Sequence, residues 1–260
     1  MTAVHAIARQ PATNSPTCPA LPAAWTASVS DAARAHTQQC YPNEAAGIVL
    51  EGQYVPLENR SPTPGQDVFL SDDDLLRVAD AELFFHSHPD GLGCPSETDM
   101  VYQQQLGIPF VVMVWPFLDV FCWGDMLKPA PVIGRGFRHG VHDCYSLIRD
   151  WYFEAHGVRL LDQPRGWNWW LGRAPQNHYL DNFAQVGARQ IPVDEANQRG
   201  DVILFNFSNA VPMHGAVVYD RDLMLHHISG IKPHDPTRLS GMVPRQRYHR
   251  FATFALRYQP

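Results

Sequence analysis

The sequence predicts an α+β protein with two domains. The chain has 260 residues, which is longer than one typical domain and fits two domains of roughly 120 to 130 residues each. Its charge changes sign near the middle: residues 1–130 carry 5 basic and 15 acidic side chains, whereas residues 131–260 carry 15 basic and 11 acidic ones. Such an asymmetry indicates two units joined near mid-chain. Helical and strand patterns are mixed in both halves, as in α+β or three-layer α/β domains.

The first half begins with a segment that differs in composition from the rest. Residues 1–22 are rich in Pro, Ala, Thr and Ser, which predicts a flexible N-terminal arm. The first domain is predicted to follow, over residues 23–127. Apolar periodicity and turn residues predict helices at 23–40, 71–80 and 96–107, and strands at 45–52, 53–59 and 81–89, with two more within 108–123.

The second half begins after a Pro- and Gly-rich stretch. "KPAPVIGRG", residues 128–136, has the composition of a linker, so the second domain is predicted over residues 137–260. Its first element is a helix at 142–157, because Asp143 can cap its start and Gly157 follows its periodic part. Three strands are predicted at 199–207, 213–220 and 223–230.

Several functional classes receive no support from the composition. Neither half contains a dense stripe of Lys and Arg, so nucleic-acid binding is not expected. The longest apolar stretch, 108–123, contains Asp119 and two prolines and is too short to span a membrane. No secretory signal is apparent at the N-terminus. The five cysteines are odd in number and scattered, which predicts free thiols in a reducing compartment: Cys18, Cys40, Cys94, Cys122 and Cys144.

A first group of polar residues follows the predicted strand 81–89. His86 and His88 are separated by one residue at the end of that strand, so their side chains project to the same face. Asp99, at the start of the next helix, could supply a third ligand to a zinc ion and leave one coordination position open. The alternative is that Ser96 and Asp99 only cap the helix and the two histidines are ordinary polar residues. Both can hold, because a metal-binding aspartate must be held rigidly.

With Glu44 upstream, the pattern H-S-H-x7-S-x-x-D resembles the JAMM metalloprotease family, over roughly residues 25 to 125. The resemblance implies a three-layer α/β/α domain that hydrolyses amide or isopeptide bonds. It also implies a role for each matching residue: zinc ligands His86, His88 and Asp99, the general base Glu44, and Ser96 as a stabiliser of the oxyanion.

A second group of residues surrounds Cys144. This cysteine lies in the first turn of the predicted helix 142–157, where the helix N-terminus should lower the pKa of the thiol and favour thiolate near neutral pH. A nucleophilic cysteine also needs an imidazole and a group that orients it. His214 opens one predicted strand and His226 lies on the next, so they can meet across a hairpin. The alternative is that Cys144 is a small buried hydrophobic residue.

The segments "DCYSLIRDWY", "GDVILF", "HGAVVY" and "LHH" resemble, in order and spacing, the NlpC-type papain-like peptidases, which cleave peptidoglycan stem peptides. The resemblance covers about residues 135–257 and implies a papain-like α+β domain. It implies that Cys144 is the nucleophile, His214 the base and His226 the orienting residue. His227 remains an alternative to His226, because a two-residue turn would bring it opposite His214 instead.

The two domains together resemble the tail assembly proteins of lambda-like siphophages. That resemblance implies a component of the virion tail tip, made in the host cytoplasm, with peptidoglycan stem peptide and other tail-tip proteins as its partners. The cysteine domain would open the cell wall during DNA delivery, and the zinc domain would act in tail assembly or on the wall. Two alternatives remain: a host-encoded isopeptidase or cell-wall hydrolase, and a structural tail-tip plug with vestigial sites.

Overall fold

The structure is a computed structural model that describes residues 20–124, 126–171, 175–185 and 187–259. Most of the predicted arm, with Cys18, lies outside these ranges. In the first half, the helices are α1 (Ala27–Cys40), α2 (Asp72–Val78) and α3 (Glu97–Leu106), and the strands are β1 (Ala46–Leu50), β2 (Gln53–Leu57), β3 (Leu83–Pro89), β4 (Phe110–Trp115) and β5 (Asp119–Trp123).

The five strands of the first half form one sheet in the order β2-β1-β3-β4-β5. Only β3 and β4 are parallel; the other neighbours are antiparallel. The strand β3 is buried on both faces, which explains why "LFF" is a continuous apolar run rather than an alternating one. Pro56 is tolerated in β2 because that strand is at the edge of the sheet.

Helices cover both faces of this sheet. On one face, α1 packs Val29 and Ala33 against Phe85 and Val111. On the other face, Val78 of α2 and the end of α3 pack on a cluster that includes Phe84, Phe110, Val112 and Phe121. The arrangement is the predicted three-layer α/β/α domain.

The second half contains a six-stranded sheet with a helix packed on it. Its helices are α4 (Cys144–His156) and the short α5 (His178–Asn182); its strands are β6 (Gly136–Arg138), β7 (Ala188–Ile191), β8 (Val202–Phe205), β9 (His214–Val218), β10 (Leu223–His226), β11 (His234–Leu239), β12 (Gly241–Pro244) and β13 (Ala252–Tyr258). The sheet order is β12-β10-β9-β8-β13-β7, and β6 pairs separately with β11.

The amphipathic helix α4 lies on one face of this sheet. Leu147, Ile148 and Trp151 of α4 pack against Leu204 and Val217. A second cluster covers the opposite face and includes Phe205, Val218 and Met224. This helix-on-sheet arrangement confirms the predicted papain-like α+β class of the second domain.

Arg138 connects the two halves of the chain. Its guanidinium forms two hydrogen bonds with the Asp119 carboxylate, each 3.0 Å long, and also donates to the Gly93 carbonyl oxygen. The pKa of Asp119 is lowered: burial acts to raise it, but the hydrogen bonds and charges of His234 and Arg138 outweigh that effect. The hydrogen bonds of Arg138 therefore hold the loop that follows β3 against the segment that precedes α4. The exact domain limits of 23–127, 128–136 and 137–260 remain predictions.

None of the helices that the structure describes is long and apolar enough to cross a membrane. Cys40, Cys94 and Cys144 are free thiols. The prediction of strands was incomplete, because β6, β7, β11, β12 and β13 were not predicted.

Candidate active sites

The first site lies where β3 ends. His86 and His88 are both buried, and their Nε2 atoms are 3.1 Å apart. They approach each other because residues two apart in a strand face the same side. The His88 Nδ1 atom is 3.1 Å from the Leu92 carbonyl oxygen. Since a carbonyl can only accept, Nδ1 must carry the hydrogen in this bond, and in the neutral ring Nε2 then has a lone pair that can bind a metal.

The start of α3 adds a carboxylate to this pair. Asp99 Oδ1 lies 3.2 Å from His86 Nε2, and Asp99 Oδ2 lies 3.3 Å from His88 Nε2. A capping box fixes the aspartate: the Ser96 N–H donates to Asp99 Oδ2 at 2.7 Å, and the Asp99 N–H donates to Ser96 Oγ at 3.0 Å. The capping interpretation and the ligand interpretation are therefore compatible, and the structure brings all three predicted ligands together.

This donor set fits a zinc ion. In a tetrahedral site with bonds of about 2.0–2.1 Å, ligand atoms are separated by roughly 3.3–3.4 Å, close to the distances measured among His86, His88 and Asp99. The three ligand atoms all lie within 4.8 Å of one another. Burial acts to raise the pKa of Asp99, but the charges and hydrogen bonds of His86 and His88 lower it well below its usual range. The carboxylate is therefore ionised, as a metal ligand must be.

Glu44 is located just before β1, where its carboxyl group interacts electrostatically with His86, His88 and Asp99. It is buried, and burial raises the pKa of its carboxyl group, although the charges of His86 and His88 act to lower it. A carboxylate with a raised pKa is better suited to accept and return a proton. The backbone of Glu44 is held by Asn59, whose side-chain amide donates to the Glu44 carbonyl oxygen at 3.2 Å.

The second site is located at the start of α4. Asp143 caps this helix through a capping box with Ser146, which places Cys144 at the first helical position. The Cys144 Sγ atom lies 3.1 Å from the hydroxyl oxygen of Tyr179. Tyr179 was not predicted, because its local sequence does not distinguish it from a packing aromatic residue. The Gly215 N–H also donates a hydrogen bond to the sulfur.

The pKa of Cys144 differs from the sequence-based expectation. Burial, followed by the charge of Asp143, raises the pKa of the thiol to about 11, and the hydrogen bonds from Tyr179 and Gly215 offset this only in part. The helix N-terminus was expected to favour thiolate at neutral pH. Desolvation has the larger effect here, so the resting group is a neutral thiol that needs a base.

His214 and His226 lie on adjacent antiparallel strands. The His214 Nε2 and His226 Nδ1 atoms are 3.3 Å apart. Burial, reinforced by the charge of His226, lowers the pKa of His214 well below its usual value. His227 does not share this position: its Nε2 lies 2.9 Å from the Arg238 carbonyl oxygen. The structure therefore places His226, rather than His227, next to the imidazole of His214.

Cys144 and His214 line the same cavity, whose space of about 520 Å³ includes its opening to solvent. Much of its wall is aromatic and is formed by Trp167, Trp169 and Trp170. The cavity therefore combines a thiol, a neutral imidazole and an aromatic wall, a set of groups that can bind a peptide.

Arg165 stabilises the start of α4, which carries Cys144. Its guanidinium forms a two-point ion pair with Asp143, at 2.8 and 3.0 Å, and a further bond to Asp162 at 2.8 Å. Both Arg165 and Asp143 are buried, so loss of one partner leaves an unpaired buried charge. The pair also holds the carboxylate that caps α4 below Cys144.

We therefore expect Arg165→Met to lower the free energy of unfolding by about 3–5 kcal/mol. Urea unfolding followed by tryptophan fluorescence measures this difference. Arg60→Met is the matched control: Arg60 pairs with Glu58 at 2.9 Å on the exposed surface, and such pairs contribute about 1 kcal/mol or less. Equal unfolding midpoints for the two variants would show that the buried ion pair contributes little.

Two protein families match the chain, one over each of its two candidate sites. Residues 26–126 match the prokaryotic homologs of the JAB domain, and residues 121–252 match the NlpC/P60 family. The class is therefore a protein that joins two peptidase-family domains, which agrees with the predicted fold class.

The chain is also similar to two whole proteins. It is 40% identical over 166 residues to tail tip assembly protein K of Escherichia phage lambda, which covers 63% of this chain and 72% of that protein. It is 29% identical over 210 residues to tail tip assembly protein K of Escherichia phage N15, which covers 77% and 84%. The chain belongs to this tail tip assembly protein K family and, through its second domain, to the NlpC/P60 family. The predicted resemblance is confirmed.

Similarity to solved structures is weaker. An NlpC/P60 family protein from Bacillus cereus matches with a TM-score of 0.30 and 14% identity, over 86% of this chain and 66% of that one. The solution structure of a Desulfitobacterium hafniense protein matches with a TM-score of 0.29 and 21% identity, over 37% of this chain and 78% of that one.

Proposed function

We propose that this protein is a phage tail-tip hydrolase whose cysteine domain cleaves an amide bond of the peptidoglycan stem peptide during DNA delivery. The observation that carries this proposal is the cavity shared by Cys144 and His214, with His226 in contact with His214. The relatives from phages lambda and N15 are named for tail tip assembly, which supports a location in the virion tail tip, after synthesis in the host cytoplasm, and other tail-tip proteins as partners.

The geometry supports a thiol peptidase mechanism. His214 removes the proton from Cys144, and the sulfur attacks the carbonyl carbon of the scissile amide. Backbone N–H groups at the start of α4 have no partner within the helix and are located beside the sulfur, where they can stabilise the oxyanion. His214 then protonates the leaving amine, and water hydrolyses the thioester to release the acid. His226 holds the ring of His214 in position.

The first domain is proposed to be a zinc-dependent peptidase or isopeptidase. His86, His88 and Asp99 would hold the zinc ion, which when bound polarises the scissile carbonyl group and lowers the pKa of water. Glu44 takes the proton from the attacking water molecule and delivers it to the leaving amine. Ser96, besides capping α3, is near enough to the ligands to assist in stabilising the oxyanion.

Digestion of purified sacculi tests the wall activity directly. We expect the purified protein to release soluble muropeptides, and mass spectrometry of the new termini identifies the bond that is cut. Release of no muropeptide, by a sample that also binds no zinc, would instead favour a structural plug with vestigial sites. Detection of the protein in purified particles tests the location in the tail, and its absence from virions would contradict a delivery role.

The neutral state of Cys144 gives a pH-dependence prediction. Because the pKa of the thiol is raised to about 11, alkylation of Cys144 by iodoacetamide should be slow at pH 7 and accelerate continuously up to at least pH 10. The modification rate is measured by mass spectrometry of the peptide that contains Cys144, and the rate at the half-buried Cys40 thiol, whose pKa burial also raises, is measured in the same sample. A rate that is already maximal at pH 6 would show a thiolate–imidazolium pair instead.

A further inference from the structure

A large groove opens beside the zinc-ligand cluster. Its space of about 930 Å³ includes the opening to solvent, and His86, Ser96 and Asp99 form part of its lining. The groove therefore reaches the position at which a substrate of the first domain must be cut. Most of its remaining surface is apolar, with Phe84 and Phe110 among the lining residues.

The groove has a buried floor and an exposed apolar rim. Phe84 and Phe110 are 5% and 2% exposed, whereas Phe69, Leu75 and Tyr102 are 58%, 43% and 42% exposed. Exposed apolar side chains that gather around one concave surface indicate a binding site rather than the scattered hydrophobic residues of an ordinary surface.

The walls of this groove are held by hydrogen bonds. Asn59 donates to the carbonyl oxygen atoms of Pro64 and Asp67, and its Oδ1 atom accepts from the Phe69 N–H at 3.1 Å. Asn59 also contacts the Glu44 backbone. One side chain therefore fixes the position of the groove rim relative to Glu44, the proposed general base. The opposite wall is α3, which is fixed by its capping box. The groove is thus preorganised to receive a ligand.

The residues that line the groove distinguish between two classes of substrate, peptidoglycan stem peptide and protein. Stem peptides consist of alanine, glutamate and a diamino acid, so they carry methyl groups and charges but no bulky apolar side chain. No Lys or Arg is present among the described residues that line the groove, so glutamate carboxylates would lack a cationic partner. The Asp67 carboxylate already accepts hydrogen bonds from Ser61 and Thr63. The surface instead fits a large apolar side chain.

We infer that the first domain acts on an extended segment of a protein, with a bulky apolar side chain next to the scissile bond, and not on the cell wall. This inference rests on the proposed hydrolytic role of the zinc site and adds the substrate class. The two domains would then have separate substrates: stem peptide in the cavity of Cys144, and protein in the groove beside His86.

Binding and cleavage of defined peptides test the inference. The binding probes are fluorescein-labelled dodecapeptides of Gly, Ala and Ser, with or without a single central Leu or Phe. Fluorescence anisotropy measures their affinity for the Cys144→Ala protein with Glu44→Gln added, which prevents turnover. Cleavage is measured separately, with a library of protein-derived peptides, a stem tetrapeptide and the zinc-loaded Cys144→Ala protein, by mass spectrometry of the new termini.

Adjacent leucines on α2 provide a matched pair of variants. Leu75 lines the groove, whereas Leu76 is 73% exposed and is not part of the lining. We expect Leu75→Asp to weaken binding and cleavage of the Leu and Phe peptides on the order of 10- to 100-fold, while Leu76→Asp changes neither. Both variants should retain zinc, and when made in the protein that keeps Cys144 they should digest sacculi at the parent rate, since neither leucine lines the cavity of Cys144.

The possible results separate the groove inference from the zinc-peptidase proposal. Selective binding of the Leu and Phe peptides that depends on Leu75 supports the groove even if no peptide is cleaved, and in that case the hydrolytic role fails. Cleavage of stem peptide that requires Glu44 upholds the hydrolytic role but overturns the inference about the substrate. Equal binding of all probes, or equal effects of the two leucine variants, also overturns it.

Discussion

Replacing Cys144 with alanine is expected to reduce the release of muropeptides from sacculi by three orders of magnitude or more, on the scale of about 10³–10⁶ seen when a catalytic nucleophile is removed. In the proposed mechanism the sulfur forms the thioester, so no neighbouring group can replace it. Tyr179 lies 3.1 Å from that sulfur, but a neutral phenol is a poor nucleophile. The measurement is the initial rate of muropeptide release at saturating protein.

Two controls show whether the loss of activity is due to the missing sulfur of Cys144. The side chain of alanine fits at the first position of α4 without new contacts, so the thermal unfolding temperature should change little. Glu44→Gln should digest sacculi at the parent rate, because Glu44 belongs to the other site. If Cys144→Ala retained full wall activity while Glu44→Gln lost it, the roles assigned to the two domains would be reversed.

The zinc-ligand cluster was predictable because its geometry depends on short-range rules. Two histidines spaced by one residue share a strand face, and the S-x-x-D pattern forms a capping box at the start of the next helix. Only the position of α3 beside the end of β3 depends on residues that are far apart in the sequence. That position follows from the parallel pairing of β3 with β4, since the connection between parallel strands must cross the sheet through α3.

The second site was less predictable because it depends on register and on burial. Residues 219–222 connect β9 to β10, and the resulting register pairs His226 with Ala216. His226 therefore shares a face with His214, whereas a two-residue turn would have placed His227 there. The pKa of Cys144 was predicted with the wrong sign because desolvation depends on the residues packed around the sulfur, and these come from distant parts of the chain.

Three of the strands that were not predicted, β7, β11 and β12, have a common physical reason, which does not apply to β13 because it lies inside the sheet between β8 and β7. In β11, the sequence "HDPTRL" is half-buried to exposed along its length, so it shows no apolar alternation. In β7 and β12, only short segments are in the sheet, and both strands are at its edges. Strand prediction relies on a half-buried pattern, which edge strands with polar side chains do not provide.

Replacing Glu44 with glutamine is expected to leave zinc bound and to reduce cleavage of protein-derived peptides by about 10²–10⁴-fold, the usual contribution of a general base. Glutamine has nearly the same shape as glutamate and can occupy the buried position, but it cannot accept the proton of the attacking water. Peptide cleavage is measured in the Cys144→Ala background, so that only the first domain contributes. Zinc content is measured by inductively coupled plasma mass spectrometry.

Asp99→Ala distinguishes the effect of removing a proposed zinc ligand from the effect of removing the proposed general base. Asp99 is the only carboxylate in the cluster formed with His86 and His88 among the residues that the structure describes, so its removal should abolish both zinc binding and cleavage. Glu44→Gln should abolish cleavage alone. If Glu44→Gln lost zinc as well, Glu44 would be a ligand rather than the base. If Asp99→Ala kept a stoichiometric zinc ion, the convergence of these three side chains would serve the capping of α3 and not a metal.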